Sequence, residues 1–139
     1  MKIGVPKEIK PQENRIGLTP DSVKTLTSQG HEVLIENNGG FEAGFDNEQY
    51  KSAGAKIIDK AEDIFNESEI IVKVKEPQSN EVKMIRENQI VFTYLHLAAA
   101  KELTQGLIKS KGICIAYETV TDDNGRLPLL APMSAVAGR

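Results

Sequence analysis

Six short β-rich runs separated by stretches of helical pattern constrain this chain more than any other feature: KIGVP (2–6), HEVLIE (31–36), AKIID (55–59), EIIVKV (69–74), QIVFTYL (89–95) and GICIAYE (112–118). Strands that alternate with helices close most simply into a mainly parallel sheet flanked by helices, so the pattern predicts an α/β domain of three layers. At 139 residues the chain suits one ordinary domain and is short for a complete two-domain enzyme.

The helical stretches carry recognisable ends. In LTPDSVKTLTSQG, Thr19 suits the N-cap, Pro20 the first helical position and Gly30 the stop, with Val23, Leu26 and Thr27 on one face. Asp46 and Ser79 are read as caps of helices over 46–54 and 79–88. A further helix over 100–112 ends in lysines and a glycine, and Gly106 inside it weakens it locally. Towards the end, Pro128 and Pro132 break the chain, after which MSAVAGR reads as a helix beginning.

Composition narrows the partners. With 17 basic and 20 acidic residues the net charge is -3, which leaves no basic excess to neutralise a run of phosphates, so nucleic acid is not expected as a partner. The single cysteine, Cys114, lies in an apolar run and is expected to be a buried thiol in a reducing compartment. IVFTYLHLAAA, the longest apolar stretch, falls well short of the roughly 20 residues that span a bilayer. No apolar signal core follows the N-terminal lysine, and the expectation is a cytoplasmic protein without a membrane partner.

The stretch IVKVKEP (71–77) raises the functional question, because alternation puts Ile71, Lys73 and Lys75 on one side of a strand and Val72 and Val74 on the other. A solvated face, an edge strand protected by charge and an anion site are all compatible with it. Lys75 lies just past its strand, His96 ends the next, and Arg15 follows the first, so a parallel sheet gathers all three at the rim where such folds bind ligands. Tyr117 and Glu118 reach the same rim from the last strand.

Two cations and a histidine without an obligatory partner acid point to a small carboxylate, held by a planar guanidinium fork and an ammonium beside a group able to move a proton near neutrality. A solvated arginine, a solvated lysine and a core histidine explain the same residues singly, and spacing alone leaves both readings open. NNGGFEAGF (37–45) lacks the GxGxxG spacing and is read as a turn. His31, His96 and Cys114 show no metal-ligand spacing. Ser134 suits either a helix cap or a contact to a phosphate at a helix N-terminus.

GVPKEIKPQENRIGLTP, KVKEP, FTYLHLA, IAYETV and LPLLAPMSAVAGR occur in that order and together span the chain. In this they resemble the N-terminal part of the bacterial alanine dehydrogenases, NAD-linked enzymes that interconvert L-alanine with pyruvate and ammonium. The resemblance implies a Rossmann-like or flavodoxin-like fold, with Arg15 and Lys75 on the substrate carboxylate, His96 as the acid/base, Met133 lining the substrate site and Ser134 contacting the cofactor. It also implies that residues 1–139 are the substrate-domain portion. The NAD-binding Rossmann domain and a catalytic aspartate would lie outside them, a C-terminal segment would return to complete this domain, and the piece alone would be inactive. The family is typically hexameric. Ala135 departs from the pattern, where an acidic residue is expected in PMSEVAGR.

The nicotinamide nucleotide transhydrogenases share the opening GVPKE motif but are not expected to keep both the KVKEP lysine and the YLHLA histidine; saccharopine dehydrogenases are more distant. Two readings of another class remain: a non-catalytic module that binds a small carboxylate, and an assembly domain.

Overall fold

A computed structural model describes residues 1–138. Each β-rich run forms a strand: β1 (Lys2–Val5), β2 (Glu32–Glu36), β3 (Lys56–Ile58), β4 (Ile70–Val72), β5 (Ile90–Thr93) and β6 (Ile113–Ala116). All the pairings are parallel, in the order β3-β2-β1-β4-β5-β6, which is the strand order of a Rossmann sheet.

The helices are α1 (Pro20–Ser28), α2 (Asn47–Ser52), α3 (Ala61–Glu67), α4 (Ser79–Val82), α5 (Lys101–Ser110) and α6 (Ala131–Ala137). Thr19 caps α1 by accepting the Ser22 N–H, with Pro20 in the first turn and Gly30 beyond the end at φ 91°. Asp46 and Gln49 form a reciprocal capping box on α2. Gly106 is interior to α5 because that helix packs closely on α4: a Cβ there would lie 3.0 Å from Val82 Cγ1.

Three readings are corrected. α3 adds a helix that no cap in the sequence announces, although the parallel crossover from β3 back to β4 requires a connection of this kind. The N-cap of α4 is Gln78, one residue before Ser79, with its N–H accepted by Glu81 Oε1, and the helix spans only Ser79–Val82. Pro132 does not break the chain but lies in the first turn of α6, where its missing N–H costs nothing. Arg139, last in the MSAVAGR motif, lies outside the described residues.

Two cores follow from the alternation of side chains. On one face α1 and α2 bury Val23 and Tyr50 against Ile3, Val5, Val33 and Ile35. On the other, α3 and α5 bury Ile64, Phe65 and Leu107 against Ile71 and Val91. Cys114 is only half-buried at the margin of this second core, and burial pushes its thiol pKa up. The first face is thinly covered beyond β4, leaving Ile113 and Ile115 of β6 49% and 41% exposed. No described helix is long and apolar enough to cross a membrane.

Candidate active site

The strand order reverses between β1 and β4, so their carboxyl ends bound a crevice from which chain leaves in both directions. Arg15 follows β1, Lys75 follows β4 and His96 follows β5, which puts all three past the carboxyl ends of neighbouring strands. The loop carrying Arg15 is pressed onto the end of β4. A Cβ at Gly17 would lie 2.6 Å from the Val72 carbonyl oxygen, so only glycine lets the loop approach this closely.

Arg15 has a partner acid, contrary to the expectation from the sequence. Its Nε donates to Glu13 Oε2 at 2.9 Å and its Nη2 to Glu13 Oε1 at 2.7 Å. This pairing uses the side of the guanidinium and leaves the N–H groups of its far end, on Nη1 and Nη2, for a second carboxylate. Arg15 remains exposed and borders a groove of about 780 Å³ with Val72, Val74, Tyr94, Tyr117 and Met133.

The two lysines of KVKEP have separate fates. β4 is central, so the edge-strand reading fails, and Lys73 is 1% exposed, so the solvated-face reading fails for it too. Its Nζ lies 3.0 Å from Glu8 Oε2 and 3.3 Å from Glu81 Oε2, both on nearly inaccessible side chains. A buried ammonium needs such partners, because removal from water costs several kcal/mol per ion. Lys75, half-buried, has no carboxylate within ion-pair distance of its Nζ among the described residues, and its charge acts on both Glu13 and Glu76.

Every backbone polar group of residues 73–75 has a partner. The N–H groups of Val74 and Lys75 donate to Glu8, and that of Lys73 to the Phe92 carbonyl. The carbonyl of Lys73 accepts from the Tyr117 hydroxyl, that of Val74 from the Tyr94 N–H and that of Lys75 from the Thr93 hydroxyl. The segment bearing Lys75 is therefore rigidly placed although it lies past its strand.

His96 is exposed, which removes the core-histidine reading, and its backbone is left-handed at φ 50°. Its ring stacks near Tyr94 with centroids 6.4 Å apart. Glu118 accepts the Leu95 and His96 N–H groups, the latter at 2.9 Å. Burial alone would raise the Glu118 pKa, but the His96 N–H, its own N–H, the Leu95 N–H and the charge of His96 together offset it and hold the carboxyl below its usual range. The Tyr94 hydroxyl reaches both the Leu129 carbonyl and Met133 Sδ, which brings Met133 into the groove.

Ser134 is exposed inside α6 rather than at its start, and Leu130 occupies the N-cap. The cap and helix-terminus readings of Ser134 are both corrected. Nor do the described residues form a dinucleotide cradle. β1 runs into Pro6, Lys7 and Glu8 instead of a glycine-rich turn, and the Glu8 carboxylate lies in the crevice where a pyrophosphate would need N–H donors. No group of three or more His, Cys, Asp or Glu among them is placed to hold a metal ion.

The Glu13–Arg15 fork has a measurable consequence. Its hydrogen bond from Arg15 holds the Glu13 pKa at about 2 against an ordinary 4.5. A depressed folded pKa contributes stability above the unfolded value and loses it as the proton returns, so the contribution disappears as pH falls from about 4.5 towards 2. Because Arg15 is half exposed, the effect is about 1 kcal/mol. Urea unfolding of Glu13→Gln should show a deficit at pH 6 that closes below pH 3; a deficit that persists in acid overturns the assignment.

Glu8, Glu13, Glu81 and the N–H contacts of Glu118 were not legible as site features. One signal was available: alternation puts Lys73 beside Ile71, and a lysine on the buried face of a central strand requires an acid from elsewhere.

The family described as "Alanine dehydrogenase/PNT, N-terminal domain" matches residues 4–137. An alanine dehydrogenase of Staphylococcus epidermidis is 54% identical over 142 residues, covering 100% of this chain and 37% of that protein. A solved L-alanine dehydrogenase is 52% identical with a TM-score of 0.96, over 100% of this chain and 38% of its own. A transhydrogenase from Sinorhizobium meliloti is 25% identical with a TM-score of 0.79, over 85% of this chain and 35% of its own. The chain thus spans little more than a third of the length of these relatives. Its sheet and these matches agree, and the chain belongs to the alanine dehydrogenase/PNT N-terminal domain family.

Proposed function

We propose that the chain is the substrate-binding part of an NAD-dependent L-alanine dehydrogenase, which converts L-alanine, NAD and water reversibly to pyruvate, ammonium and NADH. The observation that carries this reading is the guanidinium of Arg15. Glu13 holds it from the side, and its far end remains available beside a groove shared with Tyr94 and Met133. A carboxylate the size of pyruvate fits that fork, with Lys75 as the second cation.

In the direction of alanine synthesis, Arg15 and Lys75 hold the pyruvate carboxylate and fix the keto group towards His96. As ammonia adds to the keto carbon, the imidazolium of His96 gives its proton to the keto oxygen. The imidazole then takes a proton from the added nitrogen and gives it to the hydroxyl oxygen, which leaves as water and yields the protonated imine. Met133 covers the apolar side of the substrate, and fixed charge supplies most of the stabilisation. Bound NADH would supply the hydride that completes the reduction and would be held mainly by a Rossmann domain outside these residues, with the exposed Ser134 hydroxyl as a contact.

The thin cover over β6 supports a returning C-terminal segment as the missing layer of this domain. Assembly into the hexamer of the family and a cytoplasmic location belong to the same proposal. The transhydrogenase reading is weaker, since it accounts for the shared sheet but not for Lys75 and His96 occurring together.

In the full-length enzyme, Lys75→Ala should raise the pyruvate KM about tenfold or more with a smaller change in kcat, because a charge-assisted contact made in both ground and transition states is removed. An unchanged KM removes Lys75 from the clamp. A non-catalytic carboxylate sensor would instead bind pyruvate tightly in calorimetry of residues 1–139 alone.

A further inference from the structure

The rim holds two carboxylates with the same unusual set of donors. Glu8 accepts from the N–H of Val74 at 3.2 Å and from that of Lys75 at 2.9 Å. Glu118 accepts from the N–H of Leu95 at 3.1 Å and from that of His96 at 2.9 Å. In each case the carboxylate takes two consecutive amides, and the second belongs to a residue assigned to the chemistry. Each carboxylate also comes from the chain after the strand that flanks the functional strand on its outer side: Glu8 after β1, which pairs with β4, and Glu118 after β6, which pairs with β5.

We infer that Glu8 and Glu118 are positioning residues, which lock the backbones of Lys75 and His96 by clasping their amides past the ends of β4 and β5. The inference rests on the proposed roles of Lys75 and His96. The physical need is plain: past the ends of β4 and β5 no neighbouring strand supplies an acceptor to these four amides, and an unfixed residue there would sample several directions. At His96 the need is greater, since its left-handed backbone is uncommon for a residue with a side chain and persists where surrounding contacts over-determine it.

The two clasps differ in a way that makes the idea testable. Glu8 uses both oxygens: Oε2 accepts from Lys73 Nζ at 3.0 Å and from Val74, while Oε1 accepts from Lys75. A glutamine at this position would turn an NH₂ group towards N–H donors whichever way its amide pointed. Glu118 directs Oε1 at both amides, with Oε2 only 3.4 Å from the Leu95 nitrogen as a second, longer contact. A glutamine there keeps the oxygen that matters.

The full-length enzyme carrying Glu8→Gln should therefore show a pyruvate KM raised about tenfold with a smaller loss of kcat, since misplacement of Lys75 weakens ground-state and transition-state binding alike. Glu118→Ala should lower kcat about 10–100-fold and shift the acid–base limb of its pH profile, and Glu118→Gln should recover activity to within about threefold of the parent. Hydrogen exchange by mass spectrometry on peptides spanning residues 72–76 and 93–97 should be faster in Glu8→Gln and Glu118→Ala respectively, whatever the enzyme's substrate.

A purely structural role would lower stability and leave KM, kcat and the pH profile where they were. That outcome, with Lys75→Ala and His96→Asn still impaired, overturns the inference. If those two variants are themselves unimpaired, the functional reading fails instead, and unchanged exchange in the clasp variants then overturns the clasps separately. Should Glu8→Gln fail to fold, the Glu118 pair decides the matter, because equal activity of Glu118→Ala and Glu118→Gln is incompatible with positioning through Oε1.

Discussion

Replacement of His96 by asparagine in the full-length enzyme lowers kcat by about 10²–10⁴-fold while the pyruvate KM changes little, the range associated with loss of a general acid–base group. Asparagine is the informative substitute because it tolerates the left-handed backbone that His96 adopts at φ 50° and retains a polar amide. It cannot give and retake a proton near neutrality. Alanine would confound loss of the proton carrier with backbone strain. The Glu118 contacts to the main chain at 95 and 96 should survive in the asparagine variant, since they involve no imidazole atom. Steady-state kinetics in both directions provide the check: a kcat within twofold of the parent removes His96 from proton transfer.

The largest effect on stability is expected at Lys73. Substitution by methionine keeps the stem of the side chain and deletes the ammonium, which leaves Glu8 and Glu81 buried without their cation. Breaking a buried ion cluster by removing one partner costs about 3–5 kcal/mol, well above the effect of an exposed pair. The pH dependence has a definite sign. Burial already holds the Glu81 pKa above its ordinary value against the opposing pull of Lys73, so the folded state favours its protonated form more than the unfolded chain does.

A carboxyl of that kind costs stability above its folded pKa, and the cost fades as acid protonates it. Deleting Lys73 enlarges the cost, so the deficit of Lys73→Met should be greatest near pH 7 and shrink towards pH 4. Urea unfolding at both values measures this. A loss under about 1 kcal/mol at pH 7 would show that the cluster behaves as a solvated pair. Adding Glu81→Gln to Lys73→Met should recover part of the loss, because it neutralises one stranded charge while Gln retains an acceptor for the Gln78 N–H.

Local chemistry specified much of this molecule. All six strands, the Thr19 cap of α1 and the Asp46 cap of α2 are set by side-chain period and by which residues can accept a backbone N–H. Where the period is weak the reading shortens or fails. α3 carries no side-chain cap, and Glu81 in the third position places the N-cap of α4 at Gln78 rather than at Ser79.

What the sequence determined by itself, then, is the parallel α/β frame and the position of Arg15, Lys75 and His96 in the chain past the ends of β1, β4 and β5, because parallel strands all finish at one rim. Only the tertiary structure decided which charges face one another. Lys73 and Glu8 are 65 residues apart, and Glu118 lies 22 from the His96 amide it accepts. Pattern rules act over a turn or a strand, whereas these pairs are chosen by strand order and by the need to neutralise polar groups that the sheet has buried. That need made Lys73 of KVKEP structural, while Lys75 has no ion-pair partner among the described residues.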